Sequence, residues 1–402
     1  MNPVEPKPFL QFFNRVQRIA LIVGIAGFLL AVVGGLLGGF NQFFQSYLVS
    51  YVDWIGLSLG SLAILMLHFV GGGRWAGTIR RILEASTKTI WLMALLFIPI
   101  ALGPVLFGVG NLYSWANPAA VAADPNLQYK SFYLNPGFFI LRAVVMFAIW
   151  FLVVYFLARW SRQEENGDPL ARRKEGRLSS AGLILYFITV TIAAFDWIMS
   201  VFPSWNSSIF GLLIAASQAL ASMGFALVIL PQMPGFHAGE MDPHSIKTKL
   251  LRDLGALELT FVVLWAYLSF FQLLIIWAGN IPQETAWYAT RISNGWLPVA
   301  LLIALVQFIL PFLALIPMRV RSNLGLLNLI ALVILVINWV NYYWIIIPAF
   351  YPAFHISWVD IVMPIGMGGL WIAAFLYHLK RRSLQPYWDM PMEAEHAQEV
   401  QQ

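Results

Sequence analysis

The sequence predicts an all-α polytopic membrane protein with about ten transmembrane helices and with both termini on the cytoplasmic side. The first observation is composition, because 60% of the 402 residues are hydrophobic and only 11% are charged. An average soluble domain is about 45–50% apolar and about 25% charged. The second is that the apolar residues occur in runs of roughly 20–25, the length of a helix that crosses a bilayer. The third is the distribution of Lys and Arg, which predicts the orientation.

Ten apolar segments follow one another along the chain, separated by short polar or Gly- and Pro-rich breaks. Clear breaks occur at residues 71–74, 203–205 and 231–235. The predicted helices cover roughly residues 17–40, 47–71, 87–108, 138–160, 178–202, 205–231, 251–279, 295–318, 323–347 and 358–380.

These segments divide the chain into a cytoplasmic N-terminal segment (1–16), a transmembrane domain (17–380) and a cytoplasmic C-terminal tail (381–402). The first apolar run is too long for the core of a cleaved signal peptide and has no small-residue cleavage site, which predicts a permanent helix. The loop pattern suggests two four-helix bundles in the same orientation, at 47–202 and 205–347, with flanking helices.

The basic residues predict the orientation of the ten helices. The N-terminus, the C-terminus and the loops near 72–88, 159–177, 232–252 and 319–322 hold 21 of the 24 Lys and Arg residues. The other three are Lys130, Arg142 and Arg291. This positive-inside bias predicts a multi-pass protein of the bacterial inner membrane. It also accounts for the net charge of +5 without a nucleic-acid partner.

The residue types argue against a cofactor held by this chain. There is no cysteine, which excludes thiolate zinc sites and protein-ligated iron–sulfur clusters. A b-type haem needs histidines on facing helices, yet only His68 and His378 lie near helices, both at cytoplasmic ends. The remaining histidines fall in loops or the tail: His237, His244, His355 and His396. No metal site is predicted.

Polar groups at membrane depth are the remaining candidates for chemistry, because each is costly there. Asp53, Arg142 and Asp196 fall on the outer half, with Asp360 at the start of the tenth helix. Asp196 precedes the end of its helix by a distance of roughly 9 Å. Either Asp53 or Asp196 is the expected partner of Arg142, and a structural ion pair is an equally good interpretation.

The inner half carries further ionisable groups, His68, Asp253 and Glu258, and Gln218 and Gln307 fall near the midpoints of their helices. Acids near both faces with hydrogen-bonding groups between them suit a proton path, whereas ordinary contacts between helices are the alternative. The candidate path comprises Asp53, Arg142, Asp196, Gln218, Glu258, His68 and Gln307.

Polar residues on the ninth helix leave a quinone contact open. Asn338 and Asn341 share one face, beside Tyr342 and Tyr343. They could meet a quinone carbonyl, although such residues more often satisfy neighbouring backbone or side-chain groups.

Four segments resemble the second large membrane subunit of alternative complex III, the ActF family within the polysulfide-reductase membrane-subunit (NrfD-like) superfamily. They are SFYLNPGFFILR (131–142), FDWIMSVFPSWNSSIFG (195–211), WAYLSFFQLLIIWAGNIPQETAWY (265–288) and NWVNYYWIIIP (338–348). The similarity runs over roughly residues 15–380.

The resemblance implies a complex that oxidises quinol and passes electrons to an outer iron–sulfur and haem c assembly. Quinol, iron–sulfur clusters and haem c would reside on partner subunits. Those partners would be a sibling ten-helix quinol-binding subunit, an iron–sulfur protein, multihaem and monohaem c-type cytochromes, and other small membrane subunits, with lipids around them. This chain would scaffold the complex, offer a docking surface and could conduct protons.

Two other functions remain open at this point. One is a secondary transporter, which the candidate repeat and the buried polar groups favour. Against it, the sequence shows no pair of broken helices at matching positions. The other is that this chain is itself the quinol-binding membrane subunit, which predicts a quinone-sized pocket near the outer ends of helices 2–5.

Overall fold

The computed structural model of the chain describes residues 7–73, 75–168, 170–233, 236 and 245–381. Ten helices in these ranges are long and apolar enough to cross a bilayer, which confirms the predicted all-α polytopic class. They are α1 Leu10–Gly38, α2 Phe40–Gly71, α3 Gly77–Leu106, α4 Pro136–Glu165, α5 Ala171–Val201, α6 Phe210–Gln232, α7 Ile246–Gly279, α8 Leu297–Leu315, α9 Leu324–Ala349 and α10 Trp358–Leu379.

Five of the ten described spans begin at least five residues earlier than the sequence predicted; α5, at Ala171, and α7, at Ile246, are two of them. The first helix already begins at Lys7, so residues 7–16 of the predicted N-terminal segment continue it. The second begins at Phe40 instead of residue 47. A helix at Trp75–Thr87 precedes the predicted start of the third, because its charged residues Arg80, Arg81 and Glu84 lower its mean hydropathy. Residues 382–402 of the predicted tail lie outside the described residues.

Three short helices lie between the spans on the side away from the termini: Pro118–Ala123, Pro125–Lys130 and Pro282–Ile292. Each begins at a proline, which fits the first helical turn because that position needs no amide hydrogen. The side chains of Asn117 and Asp124 cap the first two. These helices shape the two longer loops.

The two ends of the helical domain lie side by side. The Lys380 amine donates hydrogen bonds to Asn14 and Gln17, and the Gln17 amide donates to the Ala373 carbonyl at 3.0 Å. Glycines allow α1 and α10 to approach closely, since a Cβ at Gly24 would lie 2.6 Å from the Leu370 nitrogen. We call this side of the molecule the terminal face and the other side the opposite face.

The helices pack in a pattern that places α2 and α6 at the centre. Helix α2 contacts α3, α5, α6, α9 and α10, and α6 contacts α2, α5, α7 and α9. The most apolar stretch of α6 is 83% buried within the chain, whereas that of α8 is only 17% buried. The division into two bundles stays an interpretation, because α2 and α6 pack extensively across the proposed boundary.

Candidate functional site: polar groups inside the helix bundle

Arg142 on α4 pairs with Asp196 on α5, so the structure selects one of its two predicted partners. The Arg142 Nε donates to Asp196 Oδ2 at 2.7 Å, and Nη2 donates to Oδ1 at 2.9 Å. Asp196 is fully buried and Arg142 is 9% exposed. A bidentate pair of this kind fixes both side chains in orientation as well as charge.

The segment before α4 completes the surroundings of this pair. The remaining Arg142 nitrogen, Nη1, donates to the Tyr133 carbonyl at 2.9 Å, and the guanidinium lies 3.8 Å from the centre of the Tyr133 ring. Burial, followed by the nearby Asp196 charge, raises the pKa of the Tyr133 hydroxyl to about 12. The guanidinium is thus bound by a carboxylate, a carbonyl and an aromatic ring. Arg142 therefore links α4 to α5 and to the segment that precedes α4.

Asp53 on α2 has a different environment from Asp196. Its Oδ1 accepts one hydrogen bond, from the Asn338 amide of α9 at 2.9 Å. Asp53 is 13 residues into α2, about 20 Å along the helix axis from its start. It lies farther from the start of its helix than the sequence predicted, because α2 begins earlier.

A cleft of about 610 Å³ opens beside Asp53. Its walls are almost entirely apolar and come from the start of α1 and from α2, α6, α9 and α10. Trp54, Trp339 and Phe375 are among the aromatic residues that line it. Asp53 is only partly buried and thus borders an apolar cleft that opens at the surface of the bundle, where Phe12, Val336 and Ile365 of its lining are exposed.

Polar side chains continue from Asp53 toward α5 and α6. The Tyr186 hydroxyl donates to Gln218 Oε1 at 2.9 Å. The Tyr342 hydroxyl is buried without a hydrogen-bond partner in the described structure, and it lies next to Gly56, on the same helix as Asp53. Tyr186 was missed from sequence, because one tyrosine in an apolar helix carries no distinguishing pattern.

Glu258 and Gln307, both predicted site residues, are fully buried and unpaired. In the described part of the chain, neither oxygen of Glu258 and neither amide atom of Gln307 has a hydrogen-bond partner. The Glu258 carboxyl lies against Gly224 of α6, where a Cβ would be 3.4 Å from its Oε1. A buried carboxyl without a hydrogen-bond partner is costly, which makes Glu258 a candidate for a functional role. No direct hydrogen bond links these two residues to Gln218.

Asp360 anchors a network at the opposite face. Its Oδ1 accepts from the Gln42 amide at 2.9 Å and the Ser46 hydroxyl at 2.5 Å. Its Oδ2 accepts from the Tyr343 hydroxyl at 3.0 Å and the Ser357 backbone N–H at 2.8 Å. Tyr343 is therefore committed to this network, which weighs against its predicted role toward a quinone.

A second network at the terminal face was missed from sequence. Arg80 on α3 pairs with Glu84 at 2.9 Å, with Glu164 at 2.7 Å and with Glu175 at 3.3 Å. Arg81 pairs with Glu84 at 3.1 Å. These residues appeared to lie in loops, but the four-residue spacing of Arg80 and Glu84 on a helix could have indicated the pair.

The predicted site residue His68 lies near this network at the end of α2. It is 8% exposed, and its Nδ1 has no hydrogen-bond partner among the described residues. Its ring meets Trp75 edge to face at 5.8 Å between centroids. In the described ranges, no group of three or more His, Cys, Asp or Glu residues is placed to hold a metal ion. The absence of a cofactor remains a prediction.

Helix α2 carries polar residues along most of its length, between the Asp360 network and the ionic network of Arg80. Its polar residues run from the Asp360 network to the ionic network at the terminal face: Gln42, Ser46, Ser50, Asp53, Ser58, Ser61 and His68. All but Gln42 and Asp53 are buried. We call this row the α2 polar row.

Neither any known protein family nor any curated protein matches this sequence. The fold and the buried polar groups define the chain as a multi-pass helical membrane protein with an ionisable interior.

Proposed function

We propose that this chain is a cofactor-free integral subunit of a quinol:electron-acceptor oxidoreductase of the alternative complex III class, which it scaffolds and through which it carries protons. The observation that supports the proton role is the α2 polar row, which crosses the span with Asp53 inside it. Glu258 adds a fully buried carboxyl on α7. Ionisable groups at this depth are costly, and membrane proteins retain them chiefly where they serve transport.

The class of complex rests on the resemblance of four segments to the ActF family. Under this proposal the terminal face is cytoplasmic in a bacterial inner membrane, as the Lys and Arg distribution predicts. The opposite face, with its loops around 109–137 and 280–294, would meet the iron–sulfur and cytochrome c subunits. The sibling ten-helix subunit would hold the quinol.

Purification through a tag on this chain tests the class of complex. We expect an iron–sulfur protein, c-type cytochromes and a second ten-helix subunit in the mass spectrum, together with the haem c bands of a reduced-minus-oxidised spectrum. A colourless protein that purifies alone under several mild detergents would contradict the assignment.

The proton role has its own test, in vesicles that contain the purified complex. Glu258→Gln and Asp53→Asn should slow quinol-dependent proton release while leaving side-chain volume nearly unchanged. Asp253→Asn is the matched control, because Asp253 is an exposed carboxyl on the same helix as Glu258. Wild-type proton release per electron in both the Glu258→Gln and the Asp53→Asn variants would exclude these carboxyls from the path.

A second candidate function, quinol binding by this chain, is favoured by the cleft beside Asp53. The cleft combines apolar walls with a carboxyl and is of the size of small-molecule sites. It borders α1, α2, α6, α9 and α10, and so lies elsewhere than the predicted place near α2–α5. Quinone extracted from the purified chain, and lost on Leu335→Trp, would favour this candidate.

A further inference from the structure

A basic notch lies on α1 at the terminal face. It has a volume of about 440 Å³ and is lined by Gln11, Asn14, Arg15, Arg18 and Ile19. Both arginines are exposed, and within the described ranges neither has a carboxylate at ion-pair distance. The notch therefore presents two positive charges with no counter-charge from the described residues.

A third cation stands beside the notch. Lys380 donates to Asn14, one of the notch residues, and to Gln17. Burial, and then the charge of Arg18, lowers the pKa of the Lys380 amine. Arg18 and Lys380 carry like charges and repel one another, and an anion between them would relieve that repulsion.

An apolar groove of about 420 Å³ continues from the notch along α1 and α10. Ile19 lines both the notch and the groove. Farther along, the groove is bordered by Val23, Trp54 and Ile365. Ile19 and Val23 are 50% and 41% exposed, so the groove is open to the surroundings of the helices.

We propose that the notch and the groove together bind one anionic phospholipid of the bilayer leaflet at the terminal face. The phosphate lies between Arg15, Arg18 and Lys380, and an acyl chain lies in the groove between α1 and α10. This assignment does not depend on the proposed function in electron transfer.

Two features identify a lipid as the occupant. The charges and the apolar groove are continuous through Ile19, which matches a molecule with an anionic head directly joined to an apolar chain. A soluble phosphate would use only the notch. Basic clusters that adjoin a membrane helix attract anionic headgroups, and here the adjoining groove also accepts the chain.

The experiment measures lipid retention on the purified full-length chain by native mass spectrometry. Phosphatidylglycerol is the anionic probe, phosphatidylethanolamine is the probe of low net charge, and inorganic phosphate tests the headgroup alone. We expect the double variant Arg15→Gln/Arg18→Gln to weaken phosphatidylglycerol binding roughly 30-fold. The matched control is Arg172→Gln/Arg173→Gln, which removes two exposed basic residues in the first turn of α5 and should bind as the wild type does.

A second variant tests the groove without changing charge. Val23→Trp fills the groove and should reduce phosphatidylglycerol retention while both arginines remain. Equal retention of the two lipids, or unchanged retention in the Arg15/Arg18 variant, would overturn the proposal. So would tight binding of inorganic phosphate that matches that of the lipid. A chain ending at Arg381 that gains phosphatidylglycerol binding would also overturn it, by showing that residues 382–402 occupy the notch in the whole chain.

Discussion

Arg142 and Asp196 join α4 to α5 through two parallel hydrogen bonds of 2.7 and 2.9 Å in a buried setting. Both residues were predicted as members of a candidate proton path, with a structural ion pair as the alternative, and the geometry of the pair favours the structural role. A carboxylate that accepts hydrogen bonds from two nitrogens of one guanidinium is fixed in position and orientation, which suits a link between helices. Asp53, with one hydrogen bond, and Glu258, with none in the described structure, are better placed for proton movement.

Removal of one partner of this pair should destabilise the protein more than removal of both partners. We expect Arg142→Ala to cost about 3–5 kcal/mol, because it leaves the Asp196 carboxylate buried without its cation. The combined change Arg142→Ala/Asp196→Ala should cost less than the sum of the single changes. Thermal unfolding in detergent measures both, and additive losses would show that the two residues act independently.

Gly60 should be essential for the contact between α2 and α6. A Cβ at this position would overlap the Gln218 carbonyl oxygen and the Ser222 hydroxyl. We expect Gly60→Ala to destabilise the fold by about 1–3 kcal/mol, because backbone cannot move aside as a flexible side chain can. Gly38→Ala is the control, since nothing lies within 4 Å of its added Cβ. Equal melting temperatures for the two variants would contradict the close approach.

Glu84 should stabilise the terminal face more than an exposed acid does. It pairs with both Arg80 and Arg81 and is only 5% exposed. We expect Glu84→Gln to cost about 3 kcal/mol. In contrast, Asp168→Asn breaks an exposed 3.6 Å pair with Lys174 and should cost less than about 1 kcal/mol. Chemical denaturation of the two variants under one set of conditions compares them, and a similar loss in both would argue against the buried network.

The stability of the network around Asp360 should depend on the charge of the carboxylate as well as on the shape of the side chain. Its two oxygens accept four hydrogen bonds. In Asp360→Asn an NH2 group replaces one of these oxygens, so two hydrogen-bond donors would face each other. We expect a loss of about 1.5–3 kcal/mol. Asp124→Asn is the control, because asparagine caps a helix about as well as aspartate does. Protease sensitivity of the loop around residues 350–357 reports the change, and unaltered cleavage would count against the network.

Local patterns were enough to predict the ten spans, but not which residues meet. Runs of apolar residues and the break at residues 203–205 depend only on neighbours in sequence. The bond from Asn338 to Asp53 joins residues 285 positions apart, and no periodicity contains that information. The Arg80 network was missed for another reason: hydropathy marks a charged helix as a loop, although tertiary pairing buries it. The sequence could predict a carboxylate partner for Arg142, because an unpaired charge at that depth is very costly. It could not distinguish Asp53 from Asp196.

The pairing of α1 with α10 has a consequence for how the protein is made. Roughly 300 residues separate the two helices, so at about 5–20 residues per second the ribosome needs on the order of tens of seconds to supply the second after the first. During that time the face of α1 that packs against α10 lies in the bilayer without its partner helix. A nascent chain that stops before α10 would keep that face exposed, and membrane proteases would have a simple criterion by which to recognise and remove incomplete copies.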